Sequence, residues 1–111
     1  MRREIAIGAA AATGVLVGVR VLAAPLPGDV NRGHELAKTW CTGCHLVEAQ
    51  EMTAKDAVPS FNAVAVTKST TALSLKAFLQ TRHRNMPDWW LTRKQVDDIV
   101  AYIMSLRPTS S

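Results

Sequence analysis

The chain has 111 residues, 48% of them hydrophobic and 20% charged, with a formal net charge of +4. That length holds one domain with a modest core, the situation in which small folds draw on a disulfide, a metal or a cofactor for stability. The basic balance gives no argument for nucleic acid. Arg2, Arg3 and Arg20 against Glu4 carry two of the four net positive charges, so residues 24–111 stand at only +2.

The basic start is followed by an uncharged run of Ile, Ala, Gly, Val and Leu from Ile5 to Val19, and Val21-Leu22-Ala23 has the small-residue character of a cleavage site. Residues 1–23 therefore read as an export signal peptide, ahead of a domain spanning 24–111. The run is 15 residues long before Arg20, short of the roughly 20 that span a bilayer as a helix. Because Arg20 also interrupts the usual shape of a signal, an uncleaved N-terminal anchor is the alternative. The first reading places the mature domain in the periplasm; the second adds a membrane association.

Pro25, Pro27 and Gly28 form a breaker-rich linker, and Asp29 is placed to cap a helix running towards Cys41. Leu36 and Trp40 fall on one face of that helix, with Val30, Gly33, Ala37 and Cys41 on a neighbouring one. Gly33 costs about 1 kcal/mol in a helix interior relative to Ala. Either the helix tolerates it, or another helix crosses closely there.

Trp40-Cys41-Thr42-Gly43-Cys44-His45 contains the C-x-x-C-H pattern of covalent c-type haem attachment. Each thiol adds to one vinyl group of the porphyrin, and the adjacent imidazole reaches the iron from one face. A Cys-x-x-Cys pair alone also suits a redox dithiol or half of a zinc site. Zinc needs about four protein ligands, and no second pair of the expected spacing follows. Export agrees with haem, because exported thiols not held as thioethers tend to oxidise to a disulfide.

From Leu46 to Lys68 the periodicity is weak, which predicts a loop with short helical turns and includes Pro59. Thr70 or Thr71 opens a helix carrying Leu73, Leu75, Phe78 and Leu79 and ending near Arg82; these apolar residues are core, or the wall of a haem pocket. In the following loop, Pro87 keeps Met86 out of helical geometry and fixes an extended backbone. That constraint makes Met86 the candidate second axial ligand, whereas Met52 and Met104 are expected to pack. Trp89 and Trp90 have no assigned role beyond the expectation that at least one is core. Thr92 and Gln95 form a capping box with Leu91 and Val96 as a staple. Val96, Ile99, Val100, Ile103 and Leu106 then recur at helical spacing until Pro108. Tyr102 lies on this helix, where it is able to cover the notch left by Gly33.

Over residues 28–111 the chain resembles the small monohaem class I c-type cytochromes of bacteria, through Gly33, Cys41, Cys44, His45, Pro59, Met86, Pro87, Tyr102 and the capped last helix. The resemblance implies an all-α cytochrome c fold, about three to four helices around one covalently attached haem c, with the N- and C-terminal helices crossing at Gly33. It implies that the Pro59 carbonyl accepts a hydrogen bond from the axial His45. The chain departs from the family in carrying Val58 where glycine commonly precedes that proline, and in a short connection from Pro59 to Met86.

His45 and Met86 together leave the iron no open position, so the expected function is one-electron transfer between redox partners outside the cytoplasm, with no substrate site and no enzyme activity. Arg82, Arg84, Arg93 and Lys94 form a basic rim for docking acidic redox proteins, or simply a solvated face. Three other readings stay open. The first is a haem subunit of a larger dehydrogenase or oxidase complex. The second is a gas-binding haem protein using His45 alone or with a weak ligand such as Asn85, where His83 would instead give bis-histidine coordination. The third is a haem-free dithiol oxidoreductase.

Overall fold

The computed structural model describes residues 8–19, 24–51, 58–83, 86–87 and 90–109. Its elements are α1 (Val30–Trp40), α2 (Phe61–Val66), α3 (Ala72–Leu79) and α4 (Arg93–Ser105). No sheet forms among the described residues, in keeping with the all-α expectation.

Each helix starts where a short polar side chain takes up an orphan backbone N–H. Asp29 accepts from Arg32 at 2.8 Å and Ser60 from Ala63 at 3.1 Å. Thr71 with Ser74 and Thr92 with Gln95 close reciprocal capping boxes, the second at the position expected from the sequence. Within the stretch expected to be a loop with turns, α2 is a six-residue helix. Helix α3 ends at Leu79 with Gln80 as its cap, three residues before Arg82, and Thr81 Oγ1 donates to the Ala77 carbonyl at 2.9 Å just beyond that end.

Helix α1 packs chiefly on α4, and α2 and α3 pack on α4 from other sides. The α1–α4 crossing is closest at Gly33, where an added Cβ would overlap the Asp98 carbonyl and come to 2.9 Å from Tyr102 Cβ. Of the two explanations for Gly33, close crossing is therefore the right one, with Asp98 backbone as the nearest surface. Gly28, at φ +105°, makes a second close approach to the Asp97 backbone and turns the linker into α1.

The core joins Leu36 and Ala37 of α1, Phe61 and Ala65 of α2, Leu75 of α3 and Val96, Ile99, Val100 and Ile103 of α4. Leu91 packs against this cluster beside Val96, as a staple should. Several apolar residues do not join it. Val30 sits at the exposed start of α1, and on α3 Leu73 and Phe78 face away from α4, 77% and 43% exposed. At the other end, the Arg107 guanidinium reaches the carbonyls of Ala65 and Thr70, tying the end of α4 to the turn between α2 and α3.

Residues 8–19 are exposed and non-helical, and no described helix is long and apolar enough to cross a membrane. The basic start and the expected cleavage site at 21–23 lie outside the described residues.

Candidate cofactor site

The end of α1 holds the cysteine motif in a tight turn. Cys41 N–H remains bonded to the Ala37 carbonyl at 2.8 Å, and the Cys41 carbonyl accepts from both Cys44 N–H at 3.2 Å and His45 N–H at 2.9 Å. Thr42 Oγ1 donates to Lys38 O at 2.7 Å, so the turn is bound to the helix that precedes it. No disulfide joins the two cysteines, Cys41 half-buried and Cys44 exposed. Burial pushes the Cys41 thiol up to about 11.

Phe61 N–H donates to Leu46 O at 2.9 Å, drawing the start of α2 against the residues after the motif. In consequence His45 Nδ1 lies 2.7 Å from the Pro59 carbonyl. A carbonyl only accepts, so Nδ1 carries a proton, and in the neutral ring Nε2 then keeps its lone pair. The His45 ring also meets Phe61, with centroids 5.4 Å apart. Phe61 continues to Tyr102 at 6.3 Å, and Tyr102 stacks on His34 at 4.8 Å. His34 Nε2 in turn lies 2.9 Å from both Glu48 oxygens. The Tyr102 hydroxyl donates to Val47 O. Its burial, with Glu48 and Glu51 nearby, raises its proton affinity above the ordinary phenol.

Met86 is half-buried in a separate small pocket with Phe78, His83, Pro87 and Leu91, which does not include His45. Met104 packs against the core, while Met52 lies outside the described residues. Of the basic rim, Arg82 and Arg93 are exposed, Arg84 lies outside the described residues, and Lys94 reaches Asp98 at 3.1 Å while staying 77% exposed. Trp90 is 92% exposed and is not core; Trp89 and Asn85 lie outside the described residues.

Phe61, His34 and Asp98 were not apparent as contributors. Phe61 directly after Pro59-Ser60 carried a local signal, since an apolar residue behind a candidate cap points inward. Asp98 had none, because its partners come from another helix.

Two cysteines on one turn and an imidazole oriented by a carbonyl, with Nε2 turned free of that bond, form a donor set that fits a covalently attached haem. With four helices and the α1–α4 crossing, this defines a small all-α c-type cytochrome of class I. The family model described as cytochrome c oxidase, cbb3-type, subunit III, matches residues 28–103, and the chain belongs to this c-type cytochrome family. Cytochrome c-552 of Bradyrhizobium diazoefficiens strain USDA 110 is similar to it, 42% identical over 83 residues that cover 75% of this chain and 80% of the relative. No solved structure gives a significant match. The protein thus carries covalently bound haem c, serves electron transport and has redox proteins as partners.

Proposed function

We propose that Cys41 and Cys44 hold the haem as thioethers and that His45 and Met86 are its two axial ligands. The observation that carries this reading is the 2.7 Å contact from His45 Nδ1 to the Pro59 carbonyl, which leaves Nε2 as the coordinating nitrogen. When bound, haem c supplies one-electron exchange between ferric and ferrous iron. The Pro59 carbonyl orients the His45 ring and raises its basicity. Pro87 keeps Met86 extended, and a neutral thioether favours the ferrous state more than a second imidazole does. With both axial positions taken by side chains, the protein is a one-electron carrier and not an enzyme. In the ferric holoprotein a weak methionine-sulfur charge-transfer band is expected, absent from Met86→Ala. A band that survives that substitution overturns the ligand assignment. Carbon monoxide added to the reduced protein tests the gas-binding alternative, since a filled position resists it.

In this reading residues 1–23 direct export, and residues 24–111 work in the periplasm between redox partners. Arg82, Arg84, Arg93 and Lys94 present positive charge to acidic partners, raising encounter rates at low ionic strength. The description of the matched family favours a second reading, a haem subunit held within an oxidase. Purification with native neighbours separates a free carrier from a subunit that co-migrates with an oxidase. The mass of the same material shows whether residues 1–23 remain as an anchor.

A further inference from the structure

The Met86 thioether has three rotatable bonds on a segment outside any helix, and Pro87 restricts its backbone angles without fixing where that backbone lies. Something else must hold its place. Residues 83 and 86 pair as an isolated antiparallel bridge, so the backbone of Met86 moves with that of His83. The His83 ring stacks on Phe78 with centroids 3.5 Å apart and planes 23° from parallel. Phe78 belongs to α3, and α3 is itself secured. Leu75 enters the core, the Thr71–Ser74 box closes the helix start, and Lys76 Nζ lies 2.8 Å from Asp97 on α4.

We propose that His83 is the positioning residue for Met86. Its ring, stacked on Phe78, and its backbone, paired with Met86, transmit the rigidity of the α3–α4 packing to the sulfur. The proposal rests on Met86 as axial ligand. His83 acts through its ring face and is not itself a ligand, so an aromatic ring without nitrogen serves the same purpose.

The test uses the ferric holoprotein, following the methionine-sulfur band through a temperature ramp and measuring the reduction potential. His83→Ala and Phe78→Ala are expected to lose the band at a temperature lower by about 4–8 °C, the scale of one lost ring stack in a domain of this size. Both are expected to lower the potential, since a looser thioether stabilises ferrous iron less, with the helical circular dichroism unchanged. His83→Phe is expected to restore midpoint and potential. A wild-type midpoint and potential in His83→Ala overturn the proposal, as does a His83→Phe protein that behaves like His83→Ala. Failure of the ligand reading looks different: the band is missing from the wild type or persists in Met86→Ala, and His83 then has no ligand to position.

Discussion

The Asp98 carboxylate on α4, 1% exposed, accepts the backbone N–H of Asp29, the cap of α1, at 2.8 Å. One buried side chain thus fastens the start of the first helix to the middle of the last, beside the Gly33 crossing. Lys94 Nζ approaches the same carboxylate from the solvent side. Asp98→Ala leaves the Asp29 N–H without its acceptor, at a cost of about 1–3 kcal/mol. A thermal melt of the holoprotein is expected to fall by about 4–8 °C for each kcal/mol lost. Asp98→Asn keeps an acceptor and should fall less; equal melting of Asp98→Ala and wild type would refute the fastening role.

Gly33→Ala sets two effects against each other. Helix propensity favours alanine by about 1 kcal/mol. The added methyl overlaps the Asp98 carbonyl, which is backbone and unable to rotate aside, so the crossing must open at an overpacking cost of about 1–3 kcal/mol or more. Net destabilisation is expected in denaturant titration, and a stabilised variant would show that α1 and α4 do not approach as closely as described.

Tyr102 predicts an alkaline limit. Burial first, then Glu48 and Glu51, raise its pKa above 10.0 in the folded protein. The folded state therefore keeps the phenol proton where the unfolded chain gives it up. This contribution to stability is complete below about pH 10 and is lost as the pH climbs from there through the folded value. Melting temperature against pH should bend downward above about pH 10. Tyr102→Phe should lack this component of the bend, while losing about 1 kcal/mol at neutral pH with its hydrogen bond to Val47 O.

The basic rim divides by partner. Arg93 is exposed, whereas Lys94 is close to Asp98, so part of the field of Lys94 is already neutralised. Arg93→Glu is expected to slow association with an acidic redox protein several-fold at low ionic strength and to flatten its salt dependence. Lys94→Gln should change association less. Stopped-flow rates across a salt series would count against the rim if both variants matched the wild type.

Features that depend on neighbours in the chain were legible in advance. The Thr92–Gln95 box and the cysteine turn are local, and so are the residues that set them. Burial on α3 was not legible. Leu73, Leu75 and Phe78 look alike in composition, and only the direction from which α4 approaches makes Leu75 core and leaves the others exposed. The end of α3 falls at Leu79, short of the expected Arg82, because apolar spacing marks which face is buried and not where the last turn closes.

The amino-acid order by itself determined the cofactor chemistry, since two thiols and an imidazole within five positions meet on one turn whatever the rest of the chain does. It also determined where the last helix begins. Only the tertiary structure decided which groups face those atoms. Pro59 reaches His45 because the Phe61 N–H is held by Leu46; Asp98 reaches Asp29 because Gly33 lets two helices approach; and His83 meets Phe78 because the chain turns back after α3. These contacts join residues 5 to 69 positions apart, and their geometry follows from which apolar faces bury against one another, a property of the assembled helices rather than of any one segment.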